Sequence, residues 1–304
     1  MILRIATSTG SRIRRICAVL DVPRSSFYHA ATPTESQLCD QQMSRHIERI
    51  FRAHRRRYGY RRIVEQLSDE GHTCSPARVR RIMAQSRLRA ITPKHYVPKT
   101  SDGRADFPSP NLLLDSPIPS QVNQVYAGDI TFIPTASGWL YLAVVIDLCS
   151  RRIASASPPP AGSLRLAVSL RSAVGWALAD HMRSELVIEA LLQSLGSRSK
   201  TLNAIFHSDR GSQYGSIAFR ALLKQSGIRQ SMSARANPYH NAWSESVIGT
   251  IKTEMLQGGC FIDQNDAQIE LFAYIESYYN THRKHSSLGY VSPAQFESNL
   301  SQNI

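Results

Sequence analysis

The sequence has no run of 18 apolar residues. Its longest candidate, Leu140 to Ile146, has the length of a strand, so a membrane span is not expected. It opens MILRIATSTG and then turns basic, without the apolar stretch of a signal peptide, which argues against secretion. It has no C-x-x-C pair. Cys17, Cys39, Cys74, Cys149 and Cys260 are scattered, which argues against a disulfide framework and a zinc knuckle and suits a reducing cytosol. Acidic residues are scarce only at one end. Residues 1–105 have 21 Lys+Arg against 8 Asp+Glu, the whole of the +13 net charge, whereas residues 106–304 have 15 of each. That asymmetry implies a basic binding part joined to a part with another task.

The basic part reads as short helices. RIRRICAVLDVPRSSFYHA (12–30) has a helix, a turn at Asp21-Val22-Pro23 and a second helix from Arg24. Gln37 to His54 reads as a further helix. YRRIVEQLSDE (60–70) ends at Gly71, and Ser75-Pro76 starts another helix with Val79, Ile82 and Met83 inward and Arg78, Arg81 and Arg87 outward. Helix, glycine turn and proline-started helix make a second, stronger helix-turn-helix candidate. The densest charge, Arg45 to Arg62, includes Arg55, Arg56, Arg57, Arg61 and Arg62; the planar guanidinium suits phosphate. A helical binding region is therefore expected over 1–91.

Residues 92–122 have six prolines and read as a linker. Beyond it the period changes. QVYAGDITFIP and WLYLAVVIDLCSRRI read as successive strands with a turn at Ser137-Gly138. Helices are expected over 181–195, 217–225, 241–256 and 267–279, and short strands over 202–209 and 229–232. Hairpin strands followed by alternating helices and strands predict an α/β domain with a mixed sheet over 123–300. One stretch, ASASPPPAGSLRLAVSLRSA (154–173), does not fit, because three consecutive prolines cannot lie in a central strand.

Three carboxylates stand out. Asp129 sits inside an apolar strand, where an unpaired charge is costly. Asp209, in HSDRGSQY, ends the next buried strand, where ligands gather in open α/β sheets. Glu245 follows after 35 intervening residues, one turn inside a helix. Such oxygens suit hard divalent cations such as Mg2+, and two such ions catalyse in-line attack on a phosphodiester. Lys252, about two turns after Glu245, and Asn241, four residues before it, share its helix face. Taken singly, each acid has a plain structural reading: a buried hydrogen-bonded Asp129, a strand-end cap for Asp209, a surface acid for Glu245. Asp147 is read as structural, within reach of Ser150-Arg151-Arg152.

GDITFIPTASGWLYLAVVIDLCSRRI, FHSDRGSQYGS, NAWSESVIGTIKTE and YYNTHRKHSSLGYVSPAQF together resemble bacterial insertion-sequence transposases of the OrfB type, over about residues 12–300. The resemblance implies a retroviral-integrase-like DDE core of ribonuclease-H-like fold, with Asp129, Asp209 and Glu245 as catalytic and metal-binding triad. It implies two Mg2+ ions, with Mn2+ substituting, and a helix lysine at Lys252. The implied chemistry is cleavage of a strand to free a 3′-OH, which then attacks another phosphodiester. The implied partners are double-stranded DNA (element terminal repeats and target), further copies of the chain on DNA, and an upstream OrfA-type protein. No membrane partner is implied, and a bacterial cytoplasmic, nucleoid-associated location is. Arg210 and Lys252 would balance phosphate charge beside Asn241, while the basic helices, through Arg55, Arg56, Arg57, Arg61, Arg62, Arg78 and Arg81, would grip DNA.

The sequence departs from that pattern in three places. Tyr126 replaces the usual tryptophan three residues before the first aspartate. Residues 1–105 have no counterpart of the retroviral His/His/Cys/Cys zinc domain. Residues 154–173 form an apparent 20-residue insertion; without them the 79 residues between Asp129 and Asp209 become 59. The insertion is expected to break the third strand and impair catalysis, leaving a DNA-binding remnant or repressor, unless it loops out and the strand re-forms from VGWALA. A nuclease on RNA–DNA hybrids shares the fold, but the helix-turn-helix and the 35-residue spacing disfavour it.

Overall fold

A computed structural model describes residues 2–31, 34–92, 108–114, 117, 119–153, 175–196, 203–234 and 242–302. The chain separates into two compact units, Met1–Ala90 and Ile91–Ile304. Among the described residues no helix is long and apolar enough to cross a membrane.

The first unit is helical. Three short helices, α1 (Ile2–Thr9), α2 (Ile13–Val19) and α3 (Arg24–Ala31), precede α4 (Glu35–Ala53). A reciprocal capping box between Thr34 and Gln37 starts α4. Then come α5 (Tyr60–Asp69) and α6 (Pro76–Gln85), the latter capped by the Ser75 hydroxyl with proline in its first turn. Between them, Gly71 at φ 81° donates to the Ser68 carbonyl and His72 donates to that of Leu67, the Schellman arrangement that closes a helix and redirects the chain. Ile47, Ile50, Phe51, Ile63, Leu67, Val79 and Ile82 bury the facing stripes of α4, α5 and α6.

Residues 108–114 correct the linker expectation, because they pack on the sheet of the second unit. Leu112 N–H donates to Ser231 Oγ at 2.9 Å, the Ser109 hydroxyl donates to Gln230 Oε1 at 2.9 Å, and Leu113 packs among Val125, Ala127 and Leu148.

The second unit is the expected α/β domain. Strands β1 (Val125–Thr135), β2 (Gly138–Asp147), β3 (Trp176–Ala179), β4 (Ile205–Ser208) and β5 (Arg229–Met232) form one sheet in the order β3-β2-β1-β4-β5. The β3-β2-β1 pairings are antiparallel and the β1-β4-β5 pairings parallel. Two-residue alternation divides the core. Ile133, Leu142, Val144 and Ile146 face helices Ala242–Leu256 and Gln264–Tyr274, whereas Ile130, Ala143 and Val145 face helices Ser184–Gly196 and Ile217–Gln225. A strand such as β2, covered on both faces, reads in sequence as one apolar run.

The third strand corrects the expectation of a break. Ile153 bridges Ile146. Val144 then pairs with Trp176 where an uninterrupted strand would place residue 155, so the strand steps over 21 residues, one more than the apparent insertion. Residues 154–173 themselves lie outside the described residues. Both flanks are fastened from one segment, a π-helical turn at Ile275–Tyr279 and the Asn280 that follows it. The Asn280 amide accepts from Ile153 N–H and donates to its carbonyl, each at 3.1 Å, and the Trp176 indole N–H donates to Glu276 at 3.3 Å.

Asp147 is structural, and the Ser150-Arg151-Arg152 turn beside it bonds to it: Arg151 N–H donates to the Asp147 carbonyl and Asp147 N–H to that of Arg152, each at 2.9 Å. Asp147 is fully buried and accepts backbone N–H bonds from Asn123, Cys149 and Ser150, while Arg152 pairs with Glu297 at 2.6 Å.

Deleting 154–173 should change unfolding free energy by only about 1 kcal/mol, because loop-closure entropy varies slowly with length. Asn280→Ala should cost roughly 1–3 kcal/mol by leaving the buried Ile153 peptide groups unpaired. Denaturant melts of both variants check the pair; a deletion more damaging than Asn280→Ala would contradict the looped-out strand.

Candidate active site

The parallel pairing of β1 with β4 sets the site. Val125, Tyr126 and Ala127 lie opposite Ile205, Phe206 and His207. Two residues further along each chain come Asp129 and Asp209, level with one another at the end of the shared ladder. This is the carboxyl edge where parallel strands present ligands. Asp129 shares its strand face with Thr131 and Ile133, the face on which helix Ala242–Leu256 packs. That helix has Glu245 in its first turn and Lys252 two turns on, and both act electrostatically on Asp129.

Each aspartate is anchored through one oxygen. Asp129 Oδ1 accepts from Ile130 N–H at 2.8 Å, and Asp209 Oδ1 accepts from Gly211 N–H at 2.9 Å. Asp209 therefore caps its own turn as well as facing the site. Two glycines make room. A Cβ at Gly128 would enter the Phe206 ring. One at Gly211 would stand 2.8 Å from Gln213 Oε1 and 3.1 Å from Asp209 Oδ1. Gln213 has little freedom to yield, since its amide donates to the Met182 carbonyl at 2.9 Å.

The acidic charges are only partly compensated. Burial, and then the Asp209 carboxylate, push Asp129 up to about 8 from 3.8; Glu245 adds to the rise, and the Ile130 N–H and Lys252 oppose it. Burial and Asp209 also raise Glu245. Burial lowers Lys252, which Asp129 in turn pulls up. The buried phenol of Tyr214 is raised by burial and by both aspartates. Asp129 and Glu245, both raised beside Asp209, form with it a donor set that a hard cation satisfies. They are not drawn into one tight group. Among the described residues, the one set of three His, Cys, Asp or Glu whose ligand atoms all lie within 4.8 Å is His46, Glu70 and His72, in the other unit.

The other expected site residues are placed as follows. Arg210 donates through Nε to the Ser233 carbonyl at 2.9 Å, so that nitrogen braces the loop. Asn241 lies outside the described residues. Arg55 and Arg56 are exposed, with φ of 49° and 64°. These two left-handed residues reverse the chain after α4 and turn Arg57 inward, where it is only 9% exposed; this corrects its assignment to a phosphate-facing surface. Arg61 and Arg62 lie over the rings of Tyr60 and Tyr58. Arg78 and Arg81 both bind Asp40 at 2.7 Å, so α4 already neutralises part of their charge. Gly128 and Tyr214 were not among the expected site residues. An unbroken apolar-to-acid sequence, Tyr-Ala-Gly-Asp, is the one local signal that a backbone must approach closely beside Asp129.

Residues 38–96 match the HTH-like domain family, and residues 168–238 and 226–293 match two integrase core domain families. The chain is 36% identical over 265 residues to the transposase for insertion sequence element IS904 of Lactococcus lactis, covering 87% of this chain and 97% of that protein. It is 34% identical over 290 residues to transposase InsF for insertion sequence IS3A of Escherichia coli K12, covering 94% of each. Among solved structures, the simian T-cell lymphotropic virus intasome in complex with a PP2A regulatory subunit is similar at TM-score 0.43 and 17% identity, over 77% of this chain and 69% of that one. The HTLV-2 integrase catalytic core domain in complex with magnesium gives 0.37 and 17%, over 58% and 97%. The fold itself is established by the sheet described above.

Gly128→Ala should destabilise the domain by about 1–3 kcal/mol through overpacking against Phe206. In cation-free protein, folded Asp129 keeps its proton to about pH 8 while the unfolded chain releases it near 3.8. The folded state therefore binds more protons between those values, and stability falls as pH rises across that window. Mg2+ affinity should rise roughly tenfold per pH unit below 8, because binding expels that proton. Melts and Mg2+ titrations from pH 5 to 9 test this; Asp129→Asn should remove both slopes, and a flat profile in the unsubstituted protein would refute the assignment.

Proposed function

Because the chain belongs to the IS3 family of insertion-sequence transposases, DDE enzymes with a DNA-binding helix-turn-helix and an integrase core, we propose that Asp129, Asp209 and Glu245 are the carboxylates of its strand cleavage and strand transfer. The observation that carries this reading is the level placement of Asp129 and Asp209 on adjacent parallel strands, with Glu245 and Lys252 on the helix across from them.

The family's core is metal-dependent, and these three residues would hold two divalent cations, Mg2+ by oxygen preference with Mn2+ substituting. When bound, such ions neutralise phosphodiester charge as Lewis acids and align in-line displacement. The chain's own residues do the rest. The Ile130 and Gly211 N–H groups fix one oxygen of each aspartate, and among the described residues neither Oδ2 makes a hydrogen bond, so each has an oxygen for a cation. Lys252, half-buried beside Asp129, offers its ammonium to a non-bridging phosphate oxygen. In cleavage a water oxygen replaces the 3′ oxygen on phosphorus and a 3′-OH leaves; in transfer that hydroxyl displaces the 3′ oxygen of a second phosphodiester.

The helix-turn-helix of α5 and α6 would engage element terminal repeats, with Arg55, Arg56, Arg61 and Arg62 on phosphates and Arg78 and Arg81 available when Asp40 yields. Copies of the chain would assemble on paired DNA ends, with an OrfA-type protein as a further partner, in the bacterial cytoplasm where such DNA lies. The re-formed third strand and the intact acids favour an active enzyme over an impaired remnant.

A donor-end cleavage assay with Mg2+ tests the triad. Asp129→Asn, Asp209→Asn and Glu245→Gln should each lower cleavage by about a hundredfold or more while DNA binding persists. Activity surviving in all three would remove the proposed site. Binding should fall steeply with salt, and Arg55→Gln with Arg56→Gln should flatten the log–log slope by about 1–2.

A further inference from the structure

In the first unit, α4 and the turn that ends α5 bring a second set of metal-ligating side chains together. His46 is near the middle of α4, and Glu70 and His72 flank Gly71 in the Schellman turn. One ligand atom from each lies within 4.8 Å of the others. The two imidazoles are already in contact, with ring centroids 4.2 Å apart and planes tilted 50°. Glu70 is steered to the same place by an ion pair with Arg49, one turn along α4 from His46, and by Gln66, which donates to its other oxygen at 3.2 Å.

We infer that His46, Glu70 and His72 form a binding site for a transition-metal dication of the zinc class, chemically distinct from the all-carboxylate site of the integrase core. Two imidazole nitrogens with one carboxylate oxygen suit borderline-soft ions such as Zn2+ and Co2+; Mg2+ prefers oxygen alone. Three protein ligands leave one position of a tetrahedron for water. Bonds of 2.0–2.1 Å put tetrahedral ligands about 3.3 Å apart, so the group closes by ~1.5 Å at most, within reach of side-chain rotation. Arg49 holds one Glu70 oxygen and places a positive charge beside the ligand group, so the guanidinium competes with the ion. The ion would fasten the turn of the helix-turn-helix to α4 at one end, as Asp40 fastens α6 through Arg78 and Arg81 at the other. This site does not depend on the assignment of the catalytic triad.

The test uses the full chain with Co2+ as spectroscopic probe and Zn2+ as competitor. One equivalent of Co2+ should give the strong visible absorption of a four-coordinate nitrogen-containing site, displaced by Zn2+. His46→Gln and His72→Gln should each weaken binding roughly tenfold or more, since even outer partners of metal ligands are worth that much. Arg49→Gln should tighten it by freeing Glu70, a gain that a misfolded variant could not produce. Absence of the band, or equal binding in wild type and both histidine variants, overturns the site. An affinity unchanged by Arg49→Gln removes Glu70 from the ligand set. Loss of the band in Asp129→Asn would place the ion in the integrase core instead.

Discussion

The parallel pairing of β1 with β4 is the constraint from which the catalytic arrangement follows. Three backbone pairs, Val125 to Ala127 against Ile205 to His207, determine that Asp129 and Asp209 end level. A slip of one residue would turn one acid to the opposite face. The Phe206 ring lies against Gly128, so the residue before the first aspartate must have no side chain. Packing thus enforces register, and register enforces the meeting of two charges that burial and mutual repulsion oppose. The domain holds this cost because both sheet faces are covered by helices, which supply the apolar burial that an isolated acid pair lacks.

The helix across the sheet completes the charge pattern with few specific contacts. Val247, Ile248 and Ile251 anchor it in the core, and that anchoring decides where Glu245 and Lys252 stand. Further on, the buried Glu254 accepts from Arg283 at 2.7 Å and from the Tyr274 hydroxyl at 2.8 Å, tying this helix to the C-terminal segment. A buried pair of this kind contributes little net stability, but breaking it is costly, and that penalty fixes the helix position.

Much of this was legible in sequence, for physical reasons. Apolar alternation and turn residues place four of the five strands, and Arg229–Met232 agrees residue for residue. An acid amid Ile130 and Ile133 signals a site because burial of charge demands a reason. What was not legible depends on distant partners. A run of arginines reads as solvent-exposed, yet two left-handed residues turn Arg57 inward. Arg78 and Arg81 look like outward cations until Asp40, about 40 positions earlier, meets them. Prolines between 108 and 119 read as linker, although the backbone there docks on β5. Three consecutive prolines (158–160) read in sequence as the end of the strand; only Asn280 and Glu276, more than 100 residues away, reveal that the strand resumes beyond them.

That pair of fastenings has an evolutionary corollary. Because Ile153 and Trp176 are each held to the same C-terminal segment, the register of the strand is fixed on both sides of the junction by contacts from outside it. Such a point is a docking port for added sequence. A mobile element could acquire, lose or exchange a module there without renegotiating its chemistry, and an engineer could mount a reporter or a targeting peptide at the same junction.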